Sequence, residues 1–305
     1  MQNKNSKFDV KIMNRDFMKF ETFDGTFPFK PNFKKINGFN MHYVDEGVGE
    51  PILCLHGMPT WSYLYRKFIK ELSKKNRVIA PDAMGFGKSD VPQNKDYIMK
   101  EHIENLEELV LNLNLTDMTL IVQDWGGPIG FGMAVNYPEK IKRVVIMNTS
   151  IGVMKEGRKP WYAPLEEKGI YKQFIMNISG LIKGGIYNKE RITDTMIEAY
   201  ETPFPSEKYY IGAFAWPKDI PVGKSHPSAS IMNFVRNNLE RLKEKKKILI
   251  WGGKDPIFPE KLIHWWNQIY PGIETYKINN ASHFLQEDAA EQIIDIIKQF
   301  LDKNP

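Results

Sequence analysis

The sequence predicts an α/β fold: a mostly parallel sheet with helices on both faces and a helical insertion late in the sheet. Three observations carry this. Short, continuous apolar runs recur along the chain, helix-length segments separate them, and the alternation breaks off between about residues 150 and 225 before it resumes. Apolar runs without polar alternation suit strands covered on both faces. Strand and helix in turn read as parallel units with right-handed crossovers.

The elements follow in chain order. Residues 51–56, 77–80, 118–123 and 143–148 read as strands, and 247–251 and 274–278 as two more. Residues 100–113, 127–137 and 289–301 have helical length and patterning. Between 150 and 225, Gly, Pro and aromatic clusters such as 159–164 and 201–206 leave helical fragments and no strand. The expected organisation is a core of residues 1–149 and 226–305, with residues 150–225 as a helical cap. The ends of that insertion fall near the carboxyl edge of the sheet, where open α/β sheets bind ligands.

Composition bounds the function. The chain has 305 residues, 42% hydrophobic and 26% charged, which suits a water-soluble globule with a sizeable core. No apolar run approaches eighteen residues, so no membrane contact is expected. The polar start, through Phe17, lacks an apolar leader region. A single cysteine, Cys54, excludes an internal disulfide and suits a reducing cytoplasm. Cys54 lies inside a strand run and reads as core packing. The net charge is +5, but the one dense basic run, 243–247, is broken by Glu244 and reads as a solvated loop. No nucleic-acid partner is expected. His42, His102, His226 and His264 form no metal-ligand spacing, so neither metal nor cofactor is expected.

The segment Leu120-Ile-Val-Gln-Asp124-Trp125-Gly126-Gly127 carries the strongest chemical signal. An apolar strand ends on an acid and passes at once into Gly-Gly and a helix. A tight strand-to-helix turn that lifts one side chain above the sheet needs small neighbours, the logic of a nucleophile elbow. The plainer alternative is an acid capping the next helix. Two further residues favour the first reading. Asp255 follows one late strand, and His283 follows the next and precedes the last helix. Nucleophile, acid and histidine in that order, each at a strand end, match the α/β-hydrolase arrangement. The segment His56-Gly57-Met58 follows the 51–56 strand, where that fold supplies a backbone N–H to its oxyanion hole; the backbone N–H of Trp125 supplies the other. His56 itself reads as structural.

Residues 56–66, 81–90, 122–127 and 282–287 resemble the haloalkane dehalogenases, a branch of the α/β-hydrolase superfamily. The resemblance covers most of the chain, dense in the core and looser in the insertion. It implies an eight-stranded sheet with the cap inserted after the sixth strand, and an Asp-His-Asp triad of Asp124, His283 and Asp255, with Asn148 where another branch carries a glutamate. It implies hydrolysis of small haloalkanes to alcohol, halide and proton. Asp124 would displace halide and form an alkyl ester, and His283 would activate water against it. Asp255 would fix the imidazole. The Trp125 indole would donate to the departing halide. The implied partners are a small halogenated or otherwise apolar substrate, water and halide ion, in a monomer or weak homodimer.

At one point the chain departs from the pattern. The family gives halide a second donor, an Asn at the position of Met58 or a cap tryptophan near Glu166 and Glu167. Trp161 and Trp216 are the tryptophans available in the insertion, and Trp216-Pro217 matches a pocket-lining pair. The alternatives are an epoxide hydrolase drawing two cap tyrosines from Tyr162, Tyr171, Tyr187, Tyr200, Tyr209 and Tyr210, and a non-catalytic ligand-binding member of the fold.

Overall fold

A computed structural model describes residues 12–305. Most of the N-terminal stretch that reads as lacking a leader lies outside the described residues. The main sheet has eight strands: β1 (Asn32–Ile36), β2 (Phe39–Glu46), β3 (Pro51–Leu55), β4 (Arg77–Pro81), β5 (Met118–Gln123), β6 (Ile141–Met147), β7 (Lys246–Gly252) and β8 (Glu274–Ile278). Their spatial order is β8-β7-β6-β5-β3-β4-β2-β1. Only β2 runs against its neighbours; every other neighbouring pair outside the β1–β2 hairpin is parallel. The central strands are apolar on both faces because helices cover both: β5 is buried at all six positions.

Helices α1 (Arg66–Leu72), α2 (Met99–Asn112) and α3 (Gly126–Asn136) follow β3, β4 and β5. Helix α2 packs on α3, and α1 packs on the last helix, α12 (Ala290–Lys303), one pair to each face of the sheet. No helix among the described residues is long and apolar enough to cross a membrane.

After β6 the chain leaves the sheet and forms five short helices, α4 (Ala163–Glu167), α5 (Tyr171–Met176), α6 (Ile178–Gly185), α7 (Asp194–Glu201) and α8 (Ile211–Lys218). It returns through α9 (Ala229–Asn237) to β7, and α10 (Lys261–Ile269) joins β7 to β8. The two connections of this excursion are stitched together at its base. The Met154 N–H donates to the Pro221 carbonyl (2.8 Å), and the Gly223 N–H donates to the Met154 carbonyl (3.0 Å). The Asp219 carboxylate in turn accepts the Met99 N–H (2.6 Å) and caps the start of α2.

A second attachment lies on α11 (Leu285–Asp288), just past His283. The Glu287 carboxylate accepts from the Arg66 guanidinium (2.8 Å) and from the Tyr200 hydroxyl of α7 (2.6 Å). Burial by itself would raise this carboxyl, but the Arg66 charge outweighs that and holds it below its ordinary range. Asp288 accepts the N–H groups of Tyr187 (3.0 Å), Asn188 (2.8 Å) and Ser282 (2.8 Å). Two adjacent carboxylates thus tie the helical excursion to the loop that carries His283. The Glu287→Ala variant leaves the Arg66 guanidinium buried without its partner, and a loss of roughly 3–5 kcal/mol in urea unfolding is expected. An unchanged unfolding midpoint would show that the buried Arg66–Glu287 pair does not stabilise the fold.

Candidate active site

Asp124 sits at the apex of the turn between β5 and α3 with φ +51°, in the left-handed region that a non-glycine residue rarely occupies. Three hydrogen bonds hold it there. Its N–H donates to the Asn148 carbonyl (3.1 Å), and its carbonyl accepts from the Gly127 N–H (2.9 Å) and the Thr149 hydroxyl (2.6 Å). The turn closes because its neighbours carry no side chain. A Cβ on Gly126 would lie 2.2 Å from the Leu55 carbonyl oxygen, and one on Gly57 would lie 2.2 Å from Asp124 Oδ1. Valine at position 122 is accommodated within β5.

The carboxylate of Asp124 faces two backbone donors. The Met58 N–H donates to Oδ1 at 2.8 Å. That bond and the Trp125 N–H both favour the charged form, as does His283; burial opposes them and is the largest influence, so the Asp124 carboxyl lies above its ordinary range. His283 Nε2 is 3.8 Å from Asp124 Oδ2. The two are neighbours but too far apart to share a hydrogen bond.

On its other side, His283 Nδ1–H donates to Asp255 Oδ2 (3.0 Å). Asp255 is fully satisfied. Its Oδ2 also accepts from Asn148 Nδ2 (2.6 Å), and its Oδ1 accepts the N–H groups of Ile257 (2.7 Å) and Phe258 (3.0 Å). Burial works against this charge, yet the imidazole and the donated hydrogen bonds outweigh it and lower the Asp255 carboxyl. Burial would likewise lower His283, but the charge and hydrogen bond of Asp255, with a further contribution from Asp124, raise it above its ordinary value. Phe258 stacks on the ring, with interplanar angle 18° and centroids 5.7 Å apart. Gln123 Nε2 donates to the His283 carbonyl (3.1 Å) and lies 3.3 Å from Nε2. This contact suits the neutral imidazole with its lone pair on Nε2.

The other expected residues separate. Trp216 and Pro217 lie buried on α8, with the Trp216 ring 5.5 Å from that of Trp125. The Trp216 indole N–H is donated to His102 Nε2 (2.7 Å). Trp161 is 45% exposed and packs on Tyr162 and Phe174, on the outside of the excursion. Nothing in this geometry supports a pocket role for Trp161; two aromatic neighbours, Tyr162 just before α4 and Phe174 in α5, hold it outward. His56 is structural in its bonding: Nδ1–H donates to the Gly57 carbonyl (3.0 Å) and Nε2 accepts the Ala83 N–H (3.0 Å). Sequence reasoning assigned His102 nothing, and its contact with Trp216 spans 114 positions. Asn148 has a readable signal, since it ends β6 beside the strands that deliver Asp124 and Asp255.

The family model described as alpha/beta hydrolase fold matches residues 50–290. A haloalkane dehalogenase of Psychrobacter cryohalolentis is 34% identical over 87% of this chain and 88% of its own length. A cis-3-alkyl-4-alkyloxetan-2-one decarboxylase of Shewanella oneidensis is 32% identical over 91% of this chain and 90% of its own. The tetrameric haloalkane dehalogenase structure from Paraglaciecola agarilytica superposes with a TM-score of 0.82 at 28% identity, covering 96% of this chain and 98% of that one. The chain belongs to the α/β-hydrolase fold family, in the branch that holds the haloalkane dehalogenases.

Because Asp255 and its hydrogen bond are what raise His283, the Asp255→Asn variant is expected to lower the pH at which the imidazole titrates. NMR titration of the ring protons checks this; an unmoved midpoint would show that Asp255 does not set the charge of His283.

Proposed function

We propose that the protein is a hydrolytic dehalogenase of small haloalkanes, and that Asp124, His283 and Asp255 carry the reaction. The observation that bears most of the weight is an aspartate, where serine hydrolases have serine, at a strained turn beside a buried His–Asp pair. A serine attacking an alkyl halide would leave an ether that water does not readily cleave. An aspartate leaves an ester, which water can cleave at its carbonyl.

In the first step an Asp124 carboxylate oxygen attacks the halogen-bearing carbon. The C–O bond forms, the C–X bond breaks and the halide leaves with its electron pair; no proton has to be removed first. The absence of an Asp124–His283 hydrogen bond at 3.8 Å agrees with this. In the second step His283 Nε2 takes a proton from water as the water oxygen attacks the ester carbonyl. The Met58 and Trp125 N–H groups face the nucleophile's oxygens and stabilise the tetrahedral oxyanion. Collapse releases the alcohol, restores the Asp124 carboxylate and leaves one proton for solvent. Residues 150–225 serve as the cap over the core formed by 1–149 and 226–305, and Trp216 and Pro217 form part of the pocket wall. The single cysteine supports a cytoplasmic setting, and its burial, which pushes the thiol up, leaves it inert.

Epoxide hydrolysis fits less well. It needs two free cap tyrosine hydroxyls facing the site; Tyr171 donates to the Phe214 carbonyl, Tyr200 to Glu287, Tyr209 to the Asn14 carbonyl and Tyr210 to the Met176 carbonyl, which leaves Tyr162 and Tyr187, and Tyr187 is 50% exposed. Decarboxylation of a cis-3,4-dialkyl-oxetan-2-one is a second activity the site accommodates. The Shewanella oneidensis relative and the shortage of side-chain donors for a departing halide favour it. There Asp124 would attack C4 and break the ring C–O bond to free a carboxylate. Loss of CO₂ would then form the alkene and expel Asp124, with no role for water.

With 1-bromobutane or 1,2-dibromoethane, bromide release is expected from the wild-type protein. His283→Phe should accumulate an alkyl-enzyme visible by mass spectrometry as an adduct on the Asp124 peptide. Bromide release without any adduct would overturn the ester mechanism. Turnover of the oxetanone to alkene and CO₂ by both proteins, with no bromide from any C2–C6 bromoalkane, would establish the second activity in its place.

A further inference from the structure

Heterolysis of a carbon–halogen bond concentrates negative charge on the halogen, and each donor aimed at that charge is worth on the order of 10²–10³ in rate. The site is short of such donors. The Met58 side chain ends in a thioether, which donates nothing. Trp161 lies on the outside of the excursion. Trp216 is the one further indole beside Trp125, and it is turned away: its N–H goes to His102 Nε2 at 2.7 Å.

His102 is built to hold that N–H. It lies buried on α2, and because an indole N–H can only donate, the 2.7 Å contact makes its Nε2 the acceptor. Burial, with the nearby His56, pushes its pKa down to about 3, so it stays neutral at any working pH. The Trp216 ring is gripped on its faces as well, by Phe86 with centroids 4.2 Å apart and by His56 at 6.1 Å. Breaking the indole bond would leave a buried donor unpaired, at a cost of about 1–3 kcal/mol.

We propose that His102 is a positioning residue that sets leaving-group specificity: by accepting the Trp216 indole N–H it leaves Trp125 as the only indole donor to the departing halide. This rests on the dehalogenase reading. Bromide and iodide are large, weakly basic ions that leave with little help; chloride needs more. The enzyme therefore favours bromo- and iodoalkanes, with kcat/KM for 1-bromobutane exceeding that for 1-chlorobutane by about 10²-fold or more, the worth of one missing donor.

Bromide titrated by calorimetry tests the geometry independently of turnover. Trp125→Phe is expected to weaken bromide binding more than tenfold, about 1.4 kcal/mol, while Trp216→Phe, which keeps the ring and loses the N–H, stays within about twofold of wild type. His102→Leu frees the Trp216 N–H, so the chlorobutane-to-bromobutane ratio should rise at least about threefold. That rise should vanish in the His102→Leu/Trp216→Phe double variant, because the effect runs through the one hydrogen bond. His102→Gln, which keeps an acceptor and has a cavity of about 30 Å³ beside it, should behave as wild type and guards against misfolding of the leucine variant. A tenfold loss of bromide affinity in Trp216→Phe would overturn the proposal. So would a His102→Leu effect that persists without the Trp216 N–H, or equal turnover of the two halides. Failure to turn over any bromoalkane would instead defeat the dehalogenase reading, and the bromide titrations would still decide where the Trp216 N–H points.

Discussion

Asp124 is held at φ +51°, a backbone that costs an L-residue roughly 1–2 kcal/mol, and the surrounding packing must supply that. It does so through contacts without room for a single extra carbon. Gly126 lies against the Leu55 carbonyl, Gly57 against the Asp124 carboxylate, and Asp124's own peptide groups are bonded to β6 and its end. The strain aims the carboxylate off the sheet and toward the Met58 N–H. It also explains why Asp124 is placed at the strand-to-helix junction: a longer loop would relax, and relaxation would lose the alignment of carboxylate, amides and His283. The site is rigid because β3, β5 and β6 are adjacent strands whose ends are bonded to one another.

The charges are arranged so that two neighbouring carboxylates play opposite parts. Asp255 accepts four hydrogen bonds and lies low; Asp124 is half-buried with fewer donors and lies high. His283 between them takes its fixed proton from the Asp255 side and turns its second nitrogen toward Asp124. In the proposed mechanism, alkylation would cancel the Asp124 charge and with it one of the influences that raise His283. The imidazole would therefore lose some of its hold on an extra proton just when it must be neutral to activate water. Gln123, bonded to the histidine's carbonyl, keeps the ring in reach without pinning it to the nucleophile.

The sheet was legible where strands are buried on both faces, because an apolar run too short for a helix hides its side chains only between two covering layers. The six runs are all strands, five of them buried, while the sixth, β8, is a mostly exposed edge strand. The β1–β2 hairpin escaped the same search: β1 is a half-exposed edge strand carrying Lys34 and Lys35, and its clearest signal is the Asn37-Gly38 turn, both residues at positive φ, instead of its hydrophobicity. Asp124, Asp255 and His283 could be read because each is anchored to a strand end, so order along the chain fixes place in the fold. Trp161 and Trp216 could not be told apart in the same way. Helices α4 and α5 have five and six residues, too short for periodicity to say which face turns inward. The partner that decides Trp216, His102, lies 114 positions away on another element. No local pattern encodes that pairing.

Glu287 and Asp288 extend the dependence from the nucleophile to the roof. They occupy one short helix immediately after His283, and both are bonded to the helical excursion, Glu287 through the Tyr200 hydroxyl and Asp288 through the backbone amides of Tyr187 and Asn188. Lifting the excursion on this side would strip partners from buried charges, a far larger cost than parting an apolar contact. The loop that carries His283 and the helical excursion are therefore coupled on this side. At the opposite side the excursion meets the core through the Asp219 cap on α2 and through the Trp216–His102 bond, each a single hydrogen-bonded link to a neighbouring helix. Asp219 is itself a buried carboxylate, so on this side too lifting the excursion would strip a buried charge of a partner.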